Sequence, residues 1–148
     1  MVSARSERFK GGIMASKAVL YVSSLGKTRK IANYIAKGLN ADVFDLKKQR
    51  SVDISKYDHI IFGTGIHAGR PYGALVDFLT ENKDRMSGKK TSLFLSCMYD
   101  GEKGETQLKN VSSELGINDA FFFHGKGEKN GEKMERSVDI FIEEMRKR

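Results

Sequence analysis

Residues Lys17 to Ala32 read Lys-Ala-Val-Leu-Tyr-Val-Ser-Ser-Leu-Gly-Lys-Thr-Arg-Lys-Ile-Ala and leave few folds open. Ala18 to Val22 form a short apolar run of strand type. Ser23, Ser24, Gly26 and Thr28 then place hydroxyls and flexible backbone where a helix begins. Ile31, Ala32, Ile35, Ala36 and Leu39 recur at helical spacing. A buried strand that feeds a helix through such a turn points the helix's unbonded N–H groups outward, and the helix dipole adds partial positive charge there. The junction is therefore suited to an anion, and a phosphate group fits it.

The same alternation runs through the chain. Strand patterns are expected at about 17–23, 41–46, 59–64, 92–96 and 120–124. Helical patterns are expected at about 28–39, after Pro71 (Leu75, Phe78, Leu79, Met86), around Leu108, Val111 and Leu115, and at the end (Met134, Val138, Phe141, Ile142, Met145). Pro71 suits the opening of the second helix. His59 to Thr64 is apolar without alternation, as in a strand buried on both faces. Strands alternating with helices imply a doubly wound α/β domain, a parallel sheet with helices on both faces. Residues 1–16 lack periodicity and are expected to be a disordered tail, with Met14 as a possible alternative start; residues 17–148 form the domain.

Charge enters because the chain carries a net +7 in 148 residues. Residues 1–17 contribute +3 and Arg146, Lys147 and Arg148 another +3, which leaves +1 for residues 18–145. The basic excess sits at the two ends, where solvated charge explains it more simply than a nucleic-acid surface. No apolar run approaches the roughly 20 residues of a membrane span. No apolar signal segment opens the chain, so a cytoplasmic location is the expectation. Cys97 is the single cysteine, which excludes an internal disulfide and a cysteine-only metal site; no metal is expected.

In an open parallel sheet, ligands sit beyond the carboxyl ends of the strands. Three segments of unusual composition leave those ends: Ser23–Thr28, Thr64–Arg70 and Cys97–Gly104. Together they would enclose a phosphorylated ligand with a planar head group. The nucleotide phosphate loop GxxxxGK[ST] is excluded, because Tyr21 stands where its first glycine belongs.

With these residues the chain resembles flavodoxin-like, FMN-binding domains. The family places a hydroxyl residue, any residue, threonine, glycine, any residue and threonine after its first strand. Here Ser23, Gly26 and Thr28 match, and Leu25 replaces one expected hydroxyl. The stretch from Tyr57 to Arg70, followed by Val76-Asp-Phe-Leu79, is similar to the branch containing menaquinone-linked protoporphyrinogen oxidase. The resemblance implies a five-stranded parallel sheet in the order 2-1-3-4-5. It implies FMN as cofactor and redox proteins as partners. Ser23, Ser24, Leu25, Gly26, Lys27 and Thr28 would hold the phosphate. Thr64, Gly65, Ile66, His67, Ala68 and Gly69 would border the flavin on one side, and Cys97, Met98, Tyr99 and Asp100 on the other, with Tyr99 as the stacking residue. Gly63, Gly65 and Gly69 would allow close approach to the ring. His67 and Arg70 would bring positive charge near it.

Each position also has a plainer reading. Ser23 or Thr28 then reads as a simple helix cap, the second loop as a plain glycine-rich turn, His67 and Tyr99 as exposed loop residues, and Cys97 as a small strand-end hydrophobe. The preferred function is a small FMN electron carrier. The alternative is a flavin-dependent oxidoreductase similar to the protoporphyrinogen oxidase branch, although that family carries a long segment late in the domain where this chain has only Gly125 to Gly131 before the closing helical region. A flavin-free regulatory or nucleic-acid-binding domain stands third. Receiver domains need an acidic cluster after the first strand, where this chain has Ser23-Ser24.

Overall fold

The computed structural model describes residues 17–24, 26–67, 70–96, 101–123 and 128–148. The expected tail, 1–16, lies outside the described residues, as do Leu25, Ala68, Gly69, Cys97 to Asp100 and His124 to Gly127.

Among the described residues six strands and four α-helices follow in chain order: β1 (Lys17–Val22), α1 (Lys27–Leu39), β2 (Asp42–Asp45), β3 (His59–His67), β4 (Arg70–Pro71), α2 (Gly73–Glu81), β5 (Lys90–Ser96), α3 (Gly101–Leu115), β6 (Ala120–Phe123) and α4 (Arg136–Arg146). Five strands form a parallel sheet in the order β2-β1-β3-β5-β6, the expected 2-1-3-4-5 path. The sixth, β4, pairs antiparallel with the end of β3. Each parallel crossover must be right-handed to pack its helix back on the sheet, and helices cover both faces.

Alternate side chains of the buried strands therefore feed two cores. Leu20, Phe62, Leu93 and Leu95 pack with Leu75 and Phe78 of α2 and Val111 of α3 on one face. Val19, Ile61, Phe94 and Phe123 pack with Ile31 and Ile35 of α1 and Phe141 and Ile142 of α4 on the other. Phe141 sits edge-on to Phe121 and Phe123, with centroids at 5.0 and 5.6 Å. Asn40 ends α1 in the left-handed conformation (φ 59°), which asparagine tolerates better than most residues.

Three local differences from the sequence expectation matter. β3 runs on to His67 and folds back, so Pro71 lies in β4 and Tyr72 is the N-cap of α2. α3 begins at Gly101, inside the segment read as a loop; its exposed first turn, with Glu102, Lys103 and Glu105, carries no apolar mark. Met86 falls in a 3-10 turn (Asp84–Met86) after α2.

At the amino-terminal end of the sheet, His59 is buried, 1% exposed. Ser92 Oγ donates to Asp119 Oδ2 at 2.6 Å, so it accepts from His59 Nε2 at 2.8 Å. That arrangement leaves His59 Nδ1 as an acceptor, buried and without a partner among the described residues. The same Asp119 oxygen is paired with Arg148.

Candidate functional site

The carboxyl ends of β1 and β5 are nearly level across β3, because Val22 is in register with Thr64 and Ser96 with Gly65, and β3 runs on to His67. The points where the chain leaves β1 and β5 therefore flank β3 at the same level.

The first loop is shaped by its own bonds. The Gly26 N–H donates to Ser23 Oγ at 3.0 Å. Gly26 adopts φ 93°, a conformation that a side chain would strain. Lys47 Nζ donates to the Ser23 carbonyl at 3.3 Å and fastens the turn to the end of β2. Among the described residues no side chain caps α1. Its first main-chain bond runs from Lys30 N–H to Gly26 O at 3.0 Å, so the Lys27, Thr28 and Arg29 N–H groups precede the helical ladder. The first turn holds no acidic residue. Lys27, Arg29 and Lys30 are exposed there, whereas Thr28 is buried and Ser24 exposed. Cations at a helix N-terminus oppose the dipole, by about 0.3–1 kcal/mol each at exposed sites. This end of α1 is thus charged against its own stability unless an anion joins it.

The second loop is a hairpin. His67 lies opposite Arg70, and Ile66 opposite Pro71; Ala68 and Gly69, between them, are outside the described residues. His67 is exposed, and Ile66 is half-buried against the α2 side of the core. Arg70 is paired with Glu114 of α3, which occupies the guanidinium expected to serve the ring. Thr64 is fully buried; its hydroxyl donates to the Gly65 carbonyl at 2.8 Å and accepts the Tyr72 N–H at 3.2 Å. Thr64 is therefore an internal brace of the hairpin. Gly63 also has a different reason from the one expected. A β-carbon there would lie 2.2 Å from Phe94 Cζ, so the glycine makes room for the core and not for a ligand.

Gly65 is where the two loops meet. A β-carbon on it would lie 3.1 Å from Tyr72 Oη and 3.4 Å from Thr28 Oγ1. The hairpin backbone, the α2 tyrosine and the first turn of α1 thus converge on one spot. Of the third loop, Cys97, Met98, Tyr99 and Asp100 lie outside the described residues; Ser96 before it ends β5. Two residues at this mouth, Lys47 and Tyr72, bear no mark in the sequence. Tyr72 follows Pro71 directly, and Lys47 sits in a polar run like any surface lysine.

The electrostatics continue the pattern. Burial and then Asp45 raise the Tyr21 phenol above its ordinary range, with Arg29 opposing. A cleft of about 500 Å³ lies at the other end of the molecule, between Met86, Lys89, Gly116 and Ile117, away from the strand carboxyl ends. No group of three or more metal-ligating side chains exists among the described residues. No helix among them is long and apolar enough to cross a membrane.

N–H groups ahead of the helical ladder, hydroxyls and cations at the first helix, beside a glycine backbone, fit the tail of a phosphorylated cofactor. The parallel sheet with helices on both faces defines a doubly wound α/β protein, a class whose ligands lie beyond the strand carboxyl ends. The profile of the flavodoxin domain matches residues 18–146, and the chain belongs to that family. An uncharacterized protein of Methanocaldococcus jannaschii is 39% identical over 77 residues, which cover 51% of this chain and 50% of that protein. The protoporphyrinogen IX dehydrogenase (quinone) of Escherichia coli K12 is 26% identical over 100 residues, 64% of this chain and 55% of the enzyme. The chain therefore spans about half the length of these relatives. Among solved structures, oxidised flavodoxin 1 from Bacillus cereus superposes with a TM-score of 0.64 at 22% identity, covering 90% of this chain and 98% of that one.

Proposed function

We propose that this chain binds FMN at the mouth of β1, β3 and β5 and acts as a small electron-transfer protein between redox partners. The observation that carries the reading is the start of α1: uncapped, without a carboxylate, with three exposed cations, and turned toward Gly65. The Lys27, Thr28 and Arg29 N–H groups receive the phosphate, and Ser23, Ser24 and Thr28 hydroxyls orient it. Ser23 does so through its O–H, since its oxygen already accepts the Gly26 N–H. Lys27 and Lys30 add attraction screened by solvent. Gly65 lets the hairpin backbone approach the isoalloxazine, and Tyr72 walls the same side. The segment Cys97 to Asp100 supplies the other side, with Tyr99 as its stacking residue on sequence grounds. Bound there, FMN supplies the one- and two-electron chemistry that protein side chains lack.

The second reading is a flavin-dependent oxidoreductase, favoured by the sequence similarity to the quinone-linked enzyme. Anaerobic stepwise reduction of the FMN-loaded protein, followed by absorption, separates the two. A carrier gives two resolved one-electron steps. A single two-electron step favours the oxidoreductase, and a protein that fails to retain FMN contradicts both.

A further inference from the structure

We propose that the outer face of α4 joins a second copy of this chain through a twofold axis at Ile140. The inner face of α4 is spent on the core through Val138, Phe141, Ile142 and Met145. Arg136, Ile140 and Glu144 recur four residues apart and so form one row on the helix. Ile140 is 65% exposed, the one large hydrophobic so exposed among the described residues. It borders a cleft of about 350 Å³ whose other walls include Leu108, Ala120 and Phe121. Among the described residues the sheet ends at this side, with β6.

The row itself identifies the occupant. It reads cation, apolar, anion, with the apolar residue at its centre. A twofold rotation about Ile140 lays the same row antiparallel on itself. Each Arg136 then faces the partner copy's Glu144, and each Ile140 enters the partner copy's cleft. A second copy carries this complement by construction, as an isologous interface requires. The Arg136 and Glu144 side chains are 56% and 44% exposed. Their present partners are Glu128 at 3.5 Å for Arg136, and Lys147 at 3.7 Å and Arg148 at 3.9 Å for Glu144. Surface pairs of this kind exchange at little cost.

Sedimentation velocity of the full chain over about a hundredfold range of concentration tests the proposal. The expected result is a mean mass that rises from monomer toward dimer. Ile140→Glu places a carboxylate at each side of the axis and should hold the protein monomeric throughout; its exposure leaves the fold intact. Glu144→Arg and Arg136→Glu should each weaken dimerisation about tenfold. The double swap, Arg136→Glu with Glu144→Arg, should recover most of that loss, as a reciprocal pair must. A monomer at every concentration, a dimer indifferent to Ile140→Glu, or a double swap no better than the single variants would overturn the interface.

Discussion

Acidifying the solution from about pH 7 to pH 5 should weaken this fold by about 2 kcal/mol through His59 alone. The imidazole is buried at the foot of β3, and burial is the main cause that lowers its pKa from 6.5 to about 4. Lys17, in register on β1, and Lys90, in register on β5, add to the depression together with Arg148, while Asp119 opposes it. The direction follows from proton counting. Between about pH 6.5 and pH 4 the unfolded chain binds a proton at His59 that the folded chain refuses, so stability falls as pH falls. Above that window both states are neutral and His59 contributes no pH dependence. Each unit is worth about 1.36 kcal/mol, so the loss levels near 3 kcal/mol at about pH 4. That is a large share of a typical domain stability of about 5–15 kcal/mol. Urea unfolding of the wild type and His59→Leu, at matched flavin concentration and several pH values, measures it. The wild type should lose stability more steeply than the variant across the window. Equal slopes in the two proteins would refute the reasoning.

Substitutions at two glycines separate packing from ligand binding. Gly63→Ala should destabilise the fold by about 1–3 kcal/mol, the usual range for overpacking, because its methyl group collides with the Phe94 ring; thermal melts check this. Gly26→Asp sets a carboxylate against the phosphate position and strains a backbone at φ 93°. FMN affinity should fall at least about a hundredfold. Gly26→Asn, with the same shape and no charge, should fall less by titration calorimetry; equal losses would assign the effect to strain alone.

The strand order follows from the family resemblance; the alternation of strands with helices and the hydroxyl- and glycine-bearing start of α1 are legible in the sequence itself for a simple reason. Both depend on contiguous residues: an apolar run, then hydroxyls and glycine, then helical spacing. The hairpin is not legible, because Ile66-His67-Ala-Gly-Arg-Pro71 lacks strand alternation and its closure depends on bonds beyond the local pattern, such as Thr64 to Tyr72. Gly63 illustrates the same limit. Its composition signal is identical to that of Gly65, yet one glycine admits the Phe94 ring and the other faces Tyr72 and Thr28 across the crevice. The pleat sends both to the α1 side of the sheet; position along β3 separates them, since Gly63 is in register with Phe94 inside the core and Gly65 with Ser96 at the end of β5. Arg70 could be read as free cationic charge until α3 brought Glu114 to it.

Comparing FMN with riboflavin is the sharpest test of the phosphate grip at α1. The two share the ring and ribityl chain and differ only in the terminal phosphate. Fluorescence titration of the flavin-free protein should give FMN an affinity at least about a hundredfold higher, with most of the advantage lost in high salt or inorganic phosphate. Equal affinities, or no binding of either flavin, would contradict the account.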